Sequence, residues 1–304
     1  MANTKEYFDT SATNENICYC YGNCQADVLC LLLKEHPLLR DKYTFNHFFV
    51  GNSITTIDIN LLYKTEIFIY QYVKDTTLKN DDNPDLDRKL YTAEYIMENY
   101  LPKTCACISF SSIYFNAYWP CSGSGYLLDE HRKFSIDFPH FYIQDKLYEL
   151  VQNLNLSEND ILEKINDDHF ICNNDIQSFF ESTCKDLKAR EIYNDVDISV
   201  SDYLIENFKK KRMMNTLNHP TIDVYDYLIN KINEQLQLPA TDYVLKNQKF
   251  TKIIDNIYKI PIFACVTKHY DLNDSTFDSP FYILDKQFLS RDDFYLYFIR
   301  KIRS

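Results

Sequence analysis

Up to about residue 125 the chain alternates short apolar runs with stretches of helical spacing. Ile17–Tyr21, Tyr43–Val50, Glu66–Tyr70 and Cys105–Phe110 read as strands, with one helix opening after the turn at Cys24 and another near Leu90–Tyr100. Strands alternating with helices predict a parallel sheet with helices on its faces. Beyond about residue 140 the spacing turns mostly helical. Ser157-x-x-Asp160 is a capping-box signal before Ile161–Ile165. Pro220 and Thr221 open a segment with Ile222, Tyr225, Leu228, Ile229 and Ile232 at helical spacing, and Ser290-x-x-Asp293 opens a last helix. The expectation is an α/β protein, a parallel sheet flanked by helices with a largely helical C-terminal half. It divides into a core over residues 1–140 and a helical region over 141–304 that packs on the core. The acidic stretch Lys74–Lys89, with Asp81-Asp82-Asn83-Pro84-Asp85, reads as a solvated loop or insertion.

In the last helix Phe294, Leu296, Tyr297, Phe298 and Ile299 spread around the axis beside Arg300, Lys301 and Arg303. That spread predicts packing onto the body of the protein, with the cations complementing the helix C-terminus, in preference to an interfacial membrane helix with one clean apolar face.

With 304 residues, 45% hydrophobic and 15% aromatic, the chain can bury a large core as one large or two modest domains. A formal charge of −12 argues against a general nucleic-acid binder, because neutralising phosphates needs a basic face. The N-terminal MANTKEYFDTSATNEN is polar and lacks the apolar core of a secretory signal, so the ten cysteines are expected as reduced thiols in a cytoplasm. Cys18 with Cys20, and Cys105 with Cys107, would each point to one face of a strand. This spacing is a weak metal signal, core packing is the expected reading, and no metal is assigned. No apolar run approaches the roughly 18 residues that span a bilayer, which predicts a soluble or peripheral protein.

The chemistry concentrates at the ends of the predicted strands, where ligands of open parallel sheets bind. Strand one ends in Gly22-Asn23-Cys24-Gln25 and runs into an apolar helix, in a chain with only four glycines, at 22, 51, 123 and 125. A cysteine at a helix mouth meets unpaired N–H groups and the positive end of the dipole, which favour thiolate and suit a nucleophile. Strand two ends in Val50-Gly51-Asn52-Ser53 and strand three in Tyr70-Gln71, so the N–H groups of Cys24 and Gly51 and the Gln71 amide are candidate oxyanion donors. Among seven histidines, His219 stands directly before a predicted helix, whose dipole would keep the imidazole neutral and able to accept a proton; His140 and His169 are next in line. Lys209-Lys210-Lys211-Arg212 is the densest basic run and reads either as a phosphate-binding cluster or as a solvated helix face. Tyr114, Phe115, Tyr118 and Trp119 read either as a stacking platform for a sugar or as core.

Gly22-Asn23-Cys24-Gln25, the strand-end Gln71, the aromatic segment Ile113-Tyr114-Phe115-Asn116-Ala117-Tyr118-Trp119-Pro120 and the late Asn218-His219-Pro220-Thr221 together resemble the WcbI family of polysaccharide-biosynthesis enzymes, to which acetyl transfer is ascribed. The resemblance covers roughly residues 15–240. It implies a fold distantly related to the SGNH hydrolases and binding of coenzyme A. By that resemblance Cys24 takes the place of the nucleophilic serine, Gly51 and Gln71 the oxyanion positions and His219 the catalytic histidine. Gly22, Asn23, Gln25, Lys211 and Arg212 are the expected coenzyme contacts. One departure is plain: SGNH enzymes usually carry an aspartate three residues before the histidine, where this chain has Thr216, so Asp223 and Glu191 are the candidate orienting acids.

The implied function is a coenzyme A-dependent O-acyltransferase, most simply an acetyltransferase, acting on a saccharide in capsule or other surface-polysaccharide biosynthesis. Acyl-CoA would be the donor and a saccharide the acceptor, through an acyl-Cys24 intermediate or by direct transfer with His219 as base. The enzyme would be cytoplasmic and could associate peripherally with a membrane-bound polysaccharide assembly. The alternatives are an SGNH-like esterase or thioesterase, and a non-catalytic sugar-handling protein.

Overall fold

The computed structural model describes residues 15–51, 54–73, 78, 87–120, 145–256, 258–278, 280–283 and 286–303. Most of the acidic stretch 74–89, His140 and the glycines at 123 and 125 lie outside the described residues. The chain forms two compact units that interleave along the sequence, one of residues 1–112, 190–200 and 222–250, the other of 113–189, 201–221 and 251–304. These bounds differ from a single division near residue 140.

The first unit is built on a four-stranded parallel sheet. β1 (Ile17–Gly22), β2 (Thr44–Phe49), β3 (Thr65–Gln71) and β4 (Ala106–Phe110) follow the order β2-β1-β3-β4. All four predicted strands form, and all four pair in parallel. Every residue of β1 is buried, as a central strand covered on both faces requires. On one face Tyr19, Tyr21, Phe48 and Phe68 pack with Ile54, Leu62 and Ile96. The helix α1 (Cys24–Leu33), which follows β1 directly, buries Ala26, Leu29, Cys30, Leu32 and Leu33.

Returning segments complete this unit. The Ile198 N–H donates to Ser109 O at 3.0 Å, and the Asp197 carboxylate accepts both the Ser109 N–H (2.8 Å) and its hydroxyl (2.7 Å). Helix Ile222–Gln235 starts just after Pro220 and Thr221 as predicted, and its Asn233 meets His36 at 2.9 Å. Glu191, a candidate acid, is buried, and its Oε1 accepts the Val200 N–H at 2.7 Å; it closes a loop.

The second unit is a helical body with two small antiparallel sheets, β5 (Met214–Thr216) with β6 (His219–Pro220), and β7 (Tyr258–Lys259), β8 (Phe281–Ile283) and β9 (Lys286–Phe288). The capping box forms as read: Ser157 and Asp160 exchange hydrogen bonds at the start of helix Glu158–Asn166. Phe115, Tyr118 and Trp119 are core, not a sugar platform. The Tyr118 hydroxyl donates to Phe208 O at 2.6 Å, and the Trp119 indole donates to Pro261 O at 3.0 Å. The last helix, Arg291–Arg303, buries Phe294, Tyr295, Phe298, Ile299 and Ile302. Arg300 makes a bidentate pair with Glu158, and Arg303 donates to the carbonyls of Val151 and Asn153. This helix packs on its own body, as the spread of its apolar residues predicts. Among the described residues no helix is long and apolar enough to cross a membrane.

Candidate active site

β1 ends where three segments of the first unit meet. The Gly22 carbonyl accepts the Val50 N–H at 2.8 Å, which fastens the end of β2 to the turn. A Cβ at Gly22 would lie 2.5 Å from Gln71 Oε1 and 2.8 Å from the Ala26 Cβ, so only glycine fits. Asn23 caps α1: its Oδ1 accepts the Gln25 N–H at 2.8 Å, and its Nδ2 reaches Ser112 Oγ at 3.4 Å. Gln71 is fully buried. Its Oε1 accepts the Asn23 N–H at 2.9 Å and its Nε2 donates to Gln25 Oε1 at 3.0 Å. The amide read as a candidate oxyanion donor is bonded at each end to the turn that presents Cys24, and braces it.

Cys24 is the first residue of α1 and is half-buried. Its thiol is pushed up to about 11, chiefly by burial and then by the charge of Asp27, against the opposing N–H groups of Cys24 and Gln25. The sequence predicts a thiolate from the helix end, but desolvation outweighs the dipole. Near neutral pH burial holds this group as a thiol. Gly51, also half-buried, ends the strand-two segment, and a Cβ there would meet the Phe49 ring at 2.5 Å; Asn52 and Ser53 lie outside the described residues.

One neighbouring pair escapes a reading by motif. Asp27, one helical turn after Cys24, approaches His47 of β2 at 3.1 Å between Oδ1 and Nε2. Burial raises the Asp27 carboxyl while His47 opposes the rise, and burial lowers the His47 imidazole while Asp27 opposes the fall. The helical i, i+3 spacing from Cys24 was the available signal, but the partner on β2 is fixed only by sheet register.

His219 lies on β6 in the second unit, with its ring against Tyr258 at 5.3 Å. Its Nδ1 is 2.6 Å from Thr216 Oγ1, and that hydroxyl donates to Asn218 Oδ1 at 3.1 Å. With its proton given to Asn218, the Thr216 oxygen is placed to accept from Nδ1, the arrangement that would put the lone pair on Nε2. Thr216, read as a departure from the aspartate pattern, is thus the side chain that meets Nδ1 of His219. Asp223 occupies the first turn of helix Ile222–Gln235 and belongs to the first unit.

The basic run lies beyond helix Ser201–Asn207, not on it. Arg212 is buried: its guanidinium donates to Met214 O at 2.9 Å, Asn215 O at 3.1 Å and Ile260 O, and it lies 5.6 Å from the Trp119 ring. It ties β5 to the β7 segment and is not exposed for a phosphate, which corrects the expected coenzyme contact. Lys209 and Lys210 are exposed and Lys211 is half-buried. Among the described residues no group of three or more His, Cys, Asp or Glu could hold a metal ion. Cys24, Gly51, Gln71, Gly22, Asn23, Gln25 and Asp223 thus belong to the first unit, and His219, Lys211 and Arg212 to the second.

A family profile described as "Polysaccharide biosynthesis enzyme WcbI" matches residues 17–241. No curated protein matches significantly. A solved structure of WcbI, described as a novel polysaccharide biosynthesis enzyme, superposes with a TM-score of 0.69 at 21% identity, over 96% of this chain and 91% of that one. That structure is described as the native protein without a disulfide bond between coenzyme A and one of its cysteines.

Proposed function

Because this chain belongs to the WcbI family of polysaccharide biosynthesis enzymes, we propose that it is a coenzyme A-dependent O-acyltransferase that moves an acetyl group onto a saccharide hydroxyl. The observation that carries this reading is the braced turn Gly22–Gln25, which holds a cysteine at the mouth of a helix. The solved relative is described by reference to a disulfide between coenzyme A and a cysteine. A cysteine able to pair with the coenzyme thiol lies where the acyl thioester would lie, and we assign Cys24 to that position here.

His219 is the general base: its Nε2 takes the proton of the acceptor hydroxyl as the oxygen attacks the thioester carbonyl, then returns it to the departing thiolate. The N–H groups at the start of α1 and of Gly51 are the donors we assign to the developing oxyanion. Burial holds Cys24 as a thiol, which favours direct transfer, with Cys24 orienting the thioester. A second reading, through acyl-Cys24, rests on the N–H groups of Cys24 and Gln25, which favour its thiolate. Lys209, Lys210 and Lys211 are the cations we assign to the coenzyme phosphates. We place the reaction in surface-polysaccharide biosynthesis on the cytoplasmic side, with a peripheral association to the assembly at the membrane.

The test is a thermal-shift series with coenzyme A, acetyl-CoA and nucleotide sugars, since a ligand of the folded state raises its melting temperature. Coenzyme A and acetyl-CoA should both raise it. No shift with either, at concentrations where sugars alone do raise it, would favour a sugar-handling protein.

A further inference from the structure

Two pairs of cysteines share the C-x-C spacing, and the fold treats them differently. Cys18 and Cys20 lie on the central strand β1 and are both fully buried. Cys105 and Cys107 lie at the start of β4, at the other end of the sheet order from β2. There Cys107 is exposed and Cys105 is half-buried.

The two thiols of this second pair stand two residues apart on one segment, and each bears on the other's ionisation. Cys105 sits just ahead of the strand, on a turn closed by its own N–H to Pro102 O at 2.9 Å, and the Cys107 thiol also approaches Cys105 O at 3.8 Å. Residues i and i+2 of an extended segment are about 6.6 Å apart at Cα, inside the upper limit for a disulfide. The neighbouring Cys105 thiol lowers the Cys107 thiol, opposed by burial and by Asp197, while the Cys107 thiol, burial and Glu66 raise Cys105. An exposed, more acidic thiol beside a less acidic partner is the arrangement of an attacking and a resolving cysteine.

We propose that Cys107 and Cys105 form a redox-active dithiol that reacts with low-molecular-weight disulfides. The Cys107 thiolate attacks one sulfur of the disulfide, forming a mixed disulfide and releasing one thiolate. Cys105 then loses its proton to solvent and attacks Cys107 Sγ, expelling the second thiolate. The net change oxidises the two protein thiols to one disulfide and reduces the small disulfide to two thiols. The site is independent of the acyl-transfer reading, since neither cysteine belongs to that machinery.

The experiment incubates the native full chain with oxidised glutathione, quenches by alkylation and maps the chymotryptic peptide Leu101–Phe110, which holds these two cysteines alone. The wild type should lose two hydrogens within this peptide. Cys105→Ser should stop at a glutathione adduct on Cys107, forming several-fold faster than any adduct on the exposed Cys172. Cys107→Ser should leave Cys105 unmodified over the same interval. Equal melting temperatures for the three proteins secure the comparison. An adduct on Cys107 no faster than on Cys172, or a wild type that halts at the mixed disulfide, would overturn the proposal.

Discussion

The side-chain amide of Gln71 receives the Asn23 N–H at 2.9 Å, tying the end of β3 to the turn that carries Cys24 across 48 residues of sequence. Its other end is bonded to Gln25. The residue read as a donor to a reacting carbonyl is thereby a strut, and the geometry of the turn depends on it.

Gln71→Ala removes both bonds, so the Asn23 N–H loses its Gln71 acceptor and the buried Gln25 loses the Gln71 amide. The expected loss of stability is about 2–4 kcal/mol. Urea denaturation measures it; a loss below about 0.5 kcal/mol would place the variant among neutral surface changes and contradict the brace.

Alkylation of Cys24 should be slow at neutral pH, and its rate should climb about tenfold per pH unit toward a midpoint near 11. Asp27→Asn removes the adjacent negative charge and should move that midpoint down. A wild-type rate already level below pH 9 would mean that the helix end, and not burial, sets this thiol.

Thr216→Val keeps the shape of a buried side chain but removes the acceptor for His219 Nδ1–H. Transfer should fall roughly 10- to 100-fold, with coenzyme A affinity within a few-fold and with Thr216→Ser restoring the rate. A Val variant with the wild-type kcat would show that Thr216 does not orient the histidine.

His36 is buried in its neutral form, its Nε2 donating to Asn233 Oδ1 (2.9 Å) and its Nδ1 accepting the Leu38 N–H (3.2 Å). Burial lowers its folded pKa below the unfolded value of about 6.5. The unfolded chain therefore binds the proton more readily, so this contribution is whole above about pH 6.5 and is lost as pH falls below it. Unfolding free energies between pH 7.5 and 5 should decline in the wild type and decline less in His36→Gln. Equal slopes for the two proteins would contradict this.

The strands, the caps at Ser157 and Ser290 and the turn at Gly22 were legible because each is a local pattern: apolar runs, a hydroxyl three residues from a carboxylate, a glycine between strand and helix. Arg212 was not. Four consecutive cations read as a surface cluster, and the carbonyls that bury one of them come partly from Ile260, 48 residues away. Thr216 was visible as a departure, but that its hydroxyl faces Nδ1 of His219 follows from the β5–β6 pairing. The interleaving of the two units was equally hidden. It depends on long-range bonds such as Asp197 to Ser109 and His36 to Asn233, which leave no periodic trace in the sequence.

The central claim is acyl transfer from coenzyme A with His219 as base, and the most direct measurement is release of free coenzyme A from acetyl-CoA with and without a saccharide acceptor. The account predicts acceptor-dependent release in the wild type. In His219→Ala that release should be lost while coenzyme A affinity, by calorimetry, stays within a few-fold. Release that proceeds equally in water alone would make the protein a thioesterase, and wild-type turnover by His219→Ala would contradict the assignment of the base.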